Sequence, residues 1–161
     1  MNDEKLSPHF LLSELLRTEN RSQIEANRQV TPEQIRKLRV LAVTLLEPVR
    51  MQWGPVTVHS GYRNPALNLI VTRTEKNPKG NPNSQHLLCE AADFHVVGHA
   101  DQMGLLDVFN WIWKESKLPF SQVILECGIW IHIAVLSDRF KQAGRGGEVL
   151  VYENGDYRRM K

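Results

Sequence analysis

The longest regular pattern in the chain predicts an amphipathic helix over residues 32–50. Thr31 can cap its N-terminus, Pro32 suits the first helical position, and Gln34 completes a capping box. Pro48 falls in the last turn and is expected to kink or end the helix. Apolar residues recur at helical spacing, which is typical of a helix with one buried face: Ile35, Leu38, Leu41, Ala42, Leu45, Leu46 and Val49.

Shorter patterns predict three further helices. One covers residues 10–17 and one covers residues 66–71. A second long helix begins after Asp101, which can cap it, and continues to about Lys117. Residues 18–30 are mostly polar, so we expect an irregular connection there.

Apolar and polar residues alternate in the second half of the chain, which predicts strands. These strands cover residues 56–59, 91–97, 121–126, 130–135 and 148–152, and Gly128 lies in the turn between the third and the fourth. Because helices come mostly first and strands mostly last, the expected fold class is α+β, with an antiparallel sheet packed against helices. No repeat or linker divides residues 1–161, which are expected to form a single domain.

The composition excludes several classes of protein. The chain has 161 residues, of which 42% are hydrophobic and 24% charged, and a net charge of +2. These values are ordinary for a globular protein, and the charge is too small to indicate a nucleic-acid partner. The basic residues are scattered apart from Arg158, Arg159 and Lys161, which we interpret as a frayed C-terminal tail.

Cellular location is predicted from segments that the sequence lacks. No apolar stretch has the length of a signal peptide or a membrane span, so we expect synthesis in the cytoplasm without an export signal. Cys89 and Cys127 lie in unrelated segments. We expect both to be reduced thiols, because two cysteines do not form a disulfide framework for a domain of this size.

Two histidines and one aspartate are the candidate metal ligands. His86 lies just before a predicted strand, Asp93 lies on that strand, and His132 lies on a later one. Two imidazoles and one carboxylate match a catalytic zinc site that leaves one coordination position open for water. The opposite face of both strands is apolar and is expected to face the core, so the candidate ligands point away from it. The apolar residues are Ala92, Phe94, Val96, Ile131 and Ile133.

The order and spacing of these residues resemble the zinc D-alanyl-D-alanine peptidase family, particularly its small single-domain branch. That family includes D-alanyl-D-alanine carboxypeptidases, vancomycin-resistance dipeptidases and phage endolysins that cut peptidoglycan peptides. The resemblance covers roughly residues 10–135. The motifs that carry it are Ser60-Gly61-Tyr62-Arg63, Ser84-Gln85-His86, Ala91-Ala92-Asp93, Gln122-Val123-Ile124-Leu125-Glu126 and Trp130-Ile131-His132.

The resemblance implies a zinc domain of the DD-peptidase, hedgehog-like type, with zinc bound by His86, Asp93 and His132. Arg63 would hold a substrate carboxylate or a developing oxyanion, and Ser84 would support the substrate backbone. Trp130 lies beside a ligand and is expected to line the cleft.

The activity implied by the resemblance is hydrolysis of peptidoglycan stem peptides. The enzyme would be a D-Ala-D-Ala carboxypeptidase or an L-Ala-D-Glu endopeptidase. We expect a monomer that reaches the cell wall as a phage lysis protein after release, or as a component of a virion.

The general base departs from the common pattern of the family. Many members carry an acid three positions before the last histidine, where this chain has Ile129, so the nearest carboxylate is Glu126. A two-residue turn would pair Glu126 with Ile129 and direct it away from His132, whereas a three-residue turn would pair it with Trp130 on the same face as His132. We predict the three-residue turn, or a bulge with the same effect, because catalysis needs a carboxylate near the zinc-bound water.

Cys89 is a second departure, because the family usually has glycine there. Cysteine tolerates positive φ poorly, so either the local backbone differs or the requirement for glycine is loose. Cys89 is also a candidate fourth ligand, which would close the site and suppress hydrolysis. The alternative function is therefore a catalytically inactive, zinc-stabilised module that binds the cell wall or a partner.

Overall fold

The fold is a mixed α+β arrangement around one six-stranded sheet, in a computed structural model that describes residues 3–142, 144 and 146–160. The strand order is β1-β2-β4-β3-β5-β6. The strands are β1 (Val56–Ser60), β2 (Ala91–Val96), β3 (Phe120–Glu126), β4 (Trp130–Val135), β5 (Glu148–Glu153) and β6 (Asp156–Arg159). The helices are α1 (Leu12–Leu15), α2 (Ile24–Asn27), α3 (Pro32–Leu41), α4 (Glu47–Trp53), α5 (Pro65–Thr72), α6 (Gln102–Lys114) and α7 (Asp138–Gln142).

The sheet is mixed, so the prediction of an antiparallel sheet was wrong at one pairing. β3 and β5 are parallel, and the other neighbours are antiparallel. β4 ends beside the start of β3, and the short α7 leads from there into β5, which therefore runs in the direction of β3. The interpretation of the basic C-terminus as a frayed tail was also wrong, because residues 156–159 form the edge strand β6; Lys161 lies outside the described residues.

The predicted long helix is present, but Pro48 does not end it. The Thr31 side chain accepts a hydrogen bond from the Gln34 amide (3.2 Å), and the Gln34 side chain accepts one from the Thr31 amide (2.8 Å), as the capping box requires. A π-helical segment (Ala42–Leu46) separates α3 from α4 directly before the proline, where the regular N–H ladder is interrupted. The helix continues to Trp53 and ends at Gly54, whose φ is +96°.

The prediction of an irregular connection over residues 18–30 was wrong. It contains a 3₁₀ turn (Arg21–Gln23) followed by α2, and Asn27 at the end of α2 is fully buried. The side-chain Nδ2 of Asn27 donates to the carbonyl oxygens of Leu16 and Tyr62, and its Oδ1 accepts a hydrogen bond from the backbone N–H of Asn64. This buried network holds the loop after β1 in place beside the candidate ligands.

The long helices α3, α4 and α6 pack on one face of the sheet, and the cleft lies on the other face. The core-facing residues of the central strands are buried: Ala92, Phe94, Val96, Val123, Leu125, Ile131 and Ile133. They meet buried residues of the long helices: Leu38, Leu41, Leu45, Leu105, Phe109 and Ile112. Among the described residues, no helix combines the length and the apolar character needed to cross a bilayer.

Candidate active site

The side chains of His86, Asp93 and His132 converge on the open face of the sheet. The Asp93 Oδ1 atom lies 3.3 Å from Nε2 of His86 and 2.8 Å from Nδ1 of His132, and those two nitrogens are 3.3 Å apart. Ligand atoms about 2.05 Å from a tetrahedral zinc ion lie about 3.3 Å from one another. The three residues are buried and could hold a metal ion.

The register of the sheet brings these ligands together. Asp93 and His132 are directly paired across β2 and β4, so both side chains leave the same face. His86 enters from the 3₁₀ turn Gln85–Leu88, which lies just before β2. The predicted face of both strands is therefore confirmed.

Each candidate ligand is fixed by a second contact on the atom that faces away from the cluster. Nδ1–H of His86 donates to the carbonyl oxygen of Gly61 at 2.6 Å, and Nε2–H of His132 donates to Oε1 of Gln85 at 3.2 Å. The Asp93 Oδ2 atom accepts a hydrogen bond from Arg63 at 2.5 Å. These bonds select the tautomers whose free nitrogens face one another, as is typical of metal-binding histidines.

Gln85 is a site residue that the sequence alone did not reveal. Its Nε2 donates to Oγ of Ser121 at 3.0 Å, and that hydroxyl donates to the carbonyl oxygen of Ala134 at 3.3 Å. A buried chain of hydrogen bonds thus runs from His132 through Gln85 to the backbone of β4. No periodic pattern marks this role; the signal is a polar residue beside a candidate ligand.

Burial and charge prepare the cluster for a cation. Burial lowers the pKa of His86, which keeps the imidazole neutral. Burial alone would raise the pKa of Asp93, but the neighbouring imidazoles of His86 and His132 outweigh it and hold that pKa well below its usual value. The ionised Asp93 carboxylate therefore brings negative charge to the cluster, which favours a divalent cation.

Cys89 adopts the backbone conformation that favours glycine, with φ +59° and ψ +32°, so this fold places a cysteine at positive φ. Its side chain is fully buried among core residues, and it does not belong to the His86, Asp93 and His132 cluster. Burial raises the pKa of this thiol to about 12. Cys89 and Cys127 are both free, as predicted.

Glu126 lies on the same face as His132. β3 and β4 are joined by a three-residue turn that pairs Glu126 with Trp130 and Ile124 with His132, so the predicted turn is confirmed. Burial raises the pKa of Glu126, with a further contribution from the charge of Asp93; His132 and Arg63 act in the opposite direction. A partly buried carboxylate with a raised pKa suits general base chemistry.

The remaining predicted residues line the cleft in different ways. The Arg63 side chain is only 12% exposed, and its Nε donates to Oγ of Ser60 at 2.8 Å in addition to its contact with Asp93. Ser84 is buried and Trp130 is half-buried, and both line the cleft. Arg63 is thus positioned against a candidate ligand as well as facing the cleft.

The cleft has a volume of about 810 Å³ and extends from the cluster across the sheet. Tyr152 and Tyr157 also line it, although neither was singled out in the sequence. His95 shares a strand with Asp93 but contacts His59, with 2.6 Å between Nδ1 and Nε2.

A comparison with protein families identifies the chain. The family model described as Peptidase M15 matches residues 8–134, which is more than half of the sequence. The chain therefore belongs to the M15 peptidases, which are zinc metallopeptidases. No curated protein matches the chain.

Proposed function

We propose that this M15 peptidase hydrolyses peptidoglycan stem peptides with a zinc ion held by His86, Asp93 and His132. The observation that carries the proposal is the convergence of three ligand atoms at 2.8–3.3 Å, each fixed by a second hydrogen bond, at one end of a cleft. A zinc ion bound there would polarise the scissile carbonyl and lower the pKa of a water molecule. Three protein ligands leave a position for that water.

Glu126 is the proposed general base. It faces the cleft on the same side of the sheet as His132, two residues along β3 from Ile124, which is paired with His132. Its carboxylate takes the proton of the attacking water and later gives it to the leaving amine. The raised pKa of Glu126 makes both steps accessible near neutral pH, because the group is a stronger base than an exposed glutamate.

Arg63 and Ser84 are the proposed substrate-positioning residues. The guanidinium of Arg63 holds Oδ2 of Asp93, so it fixes the ligand, and its permanent charge faces the same space in which a tetrahedral oxyanion develops. Ser84 and Trp130 lie on the cleft wall, where they can contact the peptide backbone and an apolar side chain.

The family supports a cell-wall substrate, either the D-Ala-D-Ala end of the stem peptide or its L-Ala-D-Glu bond. A DD-peptidase-type, hedgehog-like zinc domain is consistent with the mixed sheet and helices. We also propose that the protein acts in phage lysis as a monomer that is released to the cell wall.

The direct test is mass spectrometry of purified peptidoglycan after incubation with the zinc-loaded protein. The expected result is release of an amino acid or a peptide with one defined new terminus, lost on addition of chelator and restored by zinc. Glu126→Gln should lower the rate of release about 10²- to 10⁴-fold while keeping zinc. Gln122→Ala, at a cleft residue whose side-chain amide donates to Glu148, should retain release. Binding to the wall without any chelator-sensitive product would refute hydrolysis and support the alternative of a binding module.

A further inference from the structure

A row of four side chains crosses the floor of the cleft on four neighbouring strands. Glu126 on β3 is paired with Trp130 on β4 on one side and with Tyr152 on β5 on the other, and Tyr152 is paired with Tyr157 on β6. Residues in register on neighbouring strands project from the same face of a sheet. All four line the cleft.

Three members of this row are aromatic, and the outermost one is exposed. The rings of Tyr152 and Tyr157 have centroids 4.5 Å apart and an interplanar angle of 39°. Tyr157 is 59% exposed on the edge strand β6. A ring that stays this exposed while facing a cleft offers its surface to a ligand.

The hairpin that carries the two tyrosines lies outside the part of the chain that matches the family. The match ends at residue 134, whereas β5 and β6 cover residues 148–159. The metal cluster and Glu126 lie within the matched part. The aromatic end of the row is therefore contributed by a C-terminal hairpin that lies beyond the part of the chain matched by the family model.

The length of the row sets the size of ligand that it fits. His132 is on β4 and Tyr157 is on β6, so three strand spacings separate them (β4 to β3, β3 to β5 and β5 to β6). At about 4.8 Å per spacing, the distance across the sheet is about 14 Å. An extended peptide advances about 3.3–3.6 Å per residue, so about four residues cover this distance.

We infer that the C-terminal hairpin makes the cleft selective for long peptide substrates, in which about four residues on one side of the scissile bond cross the sheet and the last packs on Tyr157. The inference rests on the proposed function, which places the scissile bond at the metal cluster. The row presents rings and one carboxylate, so the far residue contributes an apolar or CH-rich face to the contact. Dipeptides, which reach only the cluster, lack this contact.

Binding of peptides of graded length tests the inference without depending on turnover. The protein would be zinc-loaded Glu126→Gln, which leaves substrates intact, and the probes would be two nested series of two to six residues. One series extends from D-alanyl-D-alanine and the other from L-alanyl-D-glutamate. Isothermal titration calorimetry should show affinity rising with length in one series until about four residues lie on one side of the bond.

Tyr157→Ala in the same background should weaken binding of the longest peptide roughly 2- to 12-fold and leave dipeptide binding unchanged. Tyr157→Phe keeps the ring and should keep the affinity. Arg158→Ala is the matched control, since Arg158 is the neighbouring exposed residue on β6 and is paired with the core-facing Val151. Equal affinity for short and long peptides, or equal losses in Tyr157→Ala and Arg158→Ala, would overturn the inference.

This experiment separates the inference from the proposed function. If long peptides bind through Tyr157 but the wild-type protein cleaves none of them, the proposed hydrolytic activity is refuted and the long-peptide site is supported. If the wild-type protein cleaves the dipeptide and the hexapeptide with equal kcat/KM, hydrolysis stands and the long-peptide site is wrong.

Discussion

Gln85 offers a sharp test of the metal centre, because it contacts a candidate ligand without being one. In Gln85→Leu, Nε2–H of His132 loses its acceptor while it stays buried. An unsatisfied buried donor costs about 1–3 kcal/mol. For a chain of this length each kcal/mol lowers Tm by about 2–4 °C, so the metal-free variant should melt about 2–12 °C below the wild type.

The effect on zinc should be more specific than the effect on Tm. Without Gln85, the tautomer and the ring orientation of His132 are no longer fixed, and the loss of such a partner typically lowers metal affinity about 10- to 100-fold. Gln85→Glu keeps an acceptor for Nε2–H and should retain most of the affinity. Competition with a chromophoric chelator measures zinc Kd, and calorimetry in chelator measures Tm.

The matched control is Gln122→Leu. Gln122 also lines the cleft, but its side-chain amide donates to Glu148, and it is not among the hydrogen-bond partners of His86, Asp93 and His132. It should bind zinc like the wild type. If Gln85→Leu and Gln122→Leu had the same zinc Kd, the orientation of His132 by Gln85 would be refuted.

Three further outcomes follow from the same contacts. Glu126→Gln should lower kcat about 10²- to 10⁴-fold with unchanged zinc Kd. In the wild type, kcat/KM should fall as pH decreases through the raised pKa of Glu126, at a pH above the ordinary 4.5, because the base must be ionised. A pH profile whose acidic limb is unchanged by conservative replacement of Glu126 would contradict this. Cys89→Gly should be more stable than Cys89→Ala by about 1–2 kcal/mol in urea unfolding, because residue 89 has positive φ. Both variants should bind one zinc ion with wild-type affinity, and weaker zinc binding in both would identify the thiol as a ligand. Zinc at 100 times its Kd should stabilise the fold by about 2.7 kcal/mol, a rise in Tm of about 5–11 °C, which chelator should reverse; a Tm independent of zinc would contradict binding to the folded protein.

The convergence of the candidate ligands was predictable because it depends on local patterns and on few residues. Alternation along β2 and β4 put Asp93 and His132 on one face, and the turn length decided the side of the sheet on which Glu126 lies. These are short-range properties of strands and turns, so a single sequence contains them.

Most of the missed features depend on tertiary contacts. The parallel pairing of β5 with β3 follows from the way α7 returns the chain. The edge strand β6 did have a local signal that was overlooked, because Asn154-Gly155 is a typical two-residue hairpin turn and both residues have positive φ, +52° and +87°. Gln85 and Tyr157 acquire their roles only when other elements pack beside them. At Cys89 the backbone conformation is set locally and the side chain by tertiary packing. The turn between His86 and β2 imposes the left-handed backbone, and the thiol is buried in the core.

Diffraction from crystals of the zinc-loaded protein at the zinc absorption edge tests the central claim most directly. The predicted result is one anomalous peak about 2.0–2.2 Å from Nε2 of His86, Oδ1 of Asp93 and Nδ1 of His132, with no fourth protein ligand. A peak on the His59–His95 pair instead, or a peak bonded to the Cys89 sulfur, would contradict a hydrolytic zinc centre in this cleft.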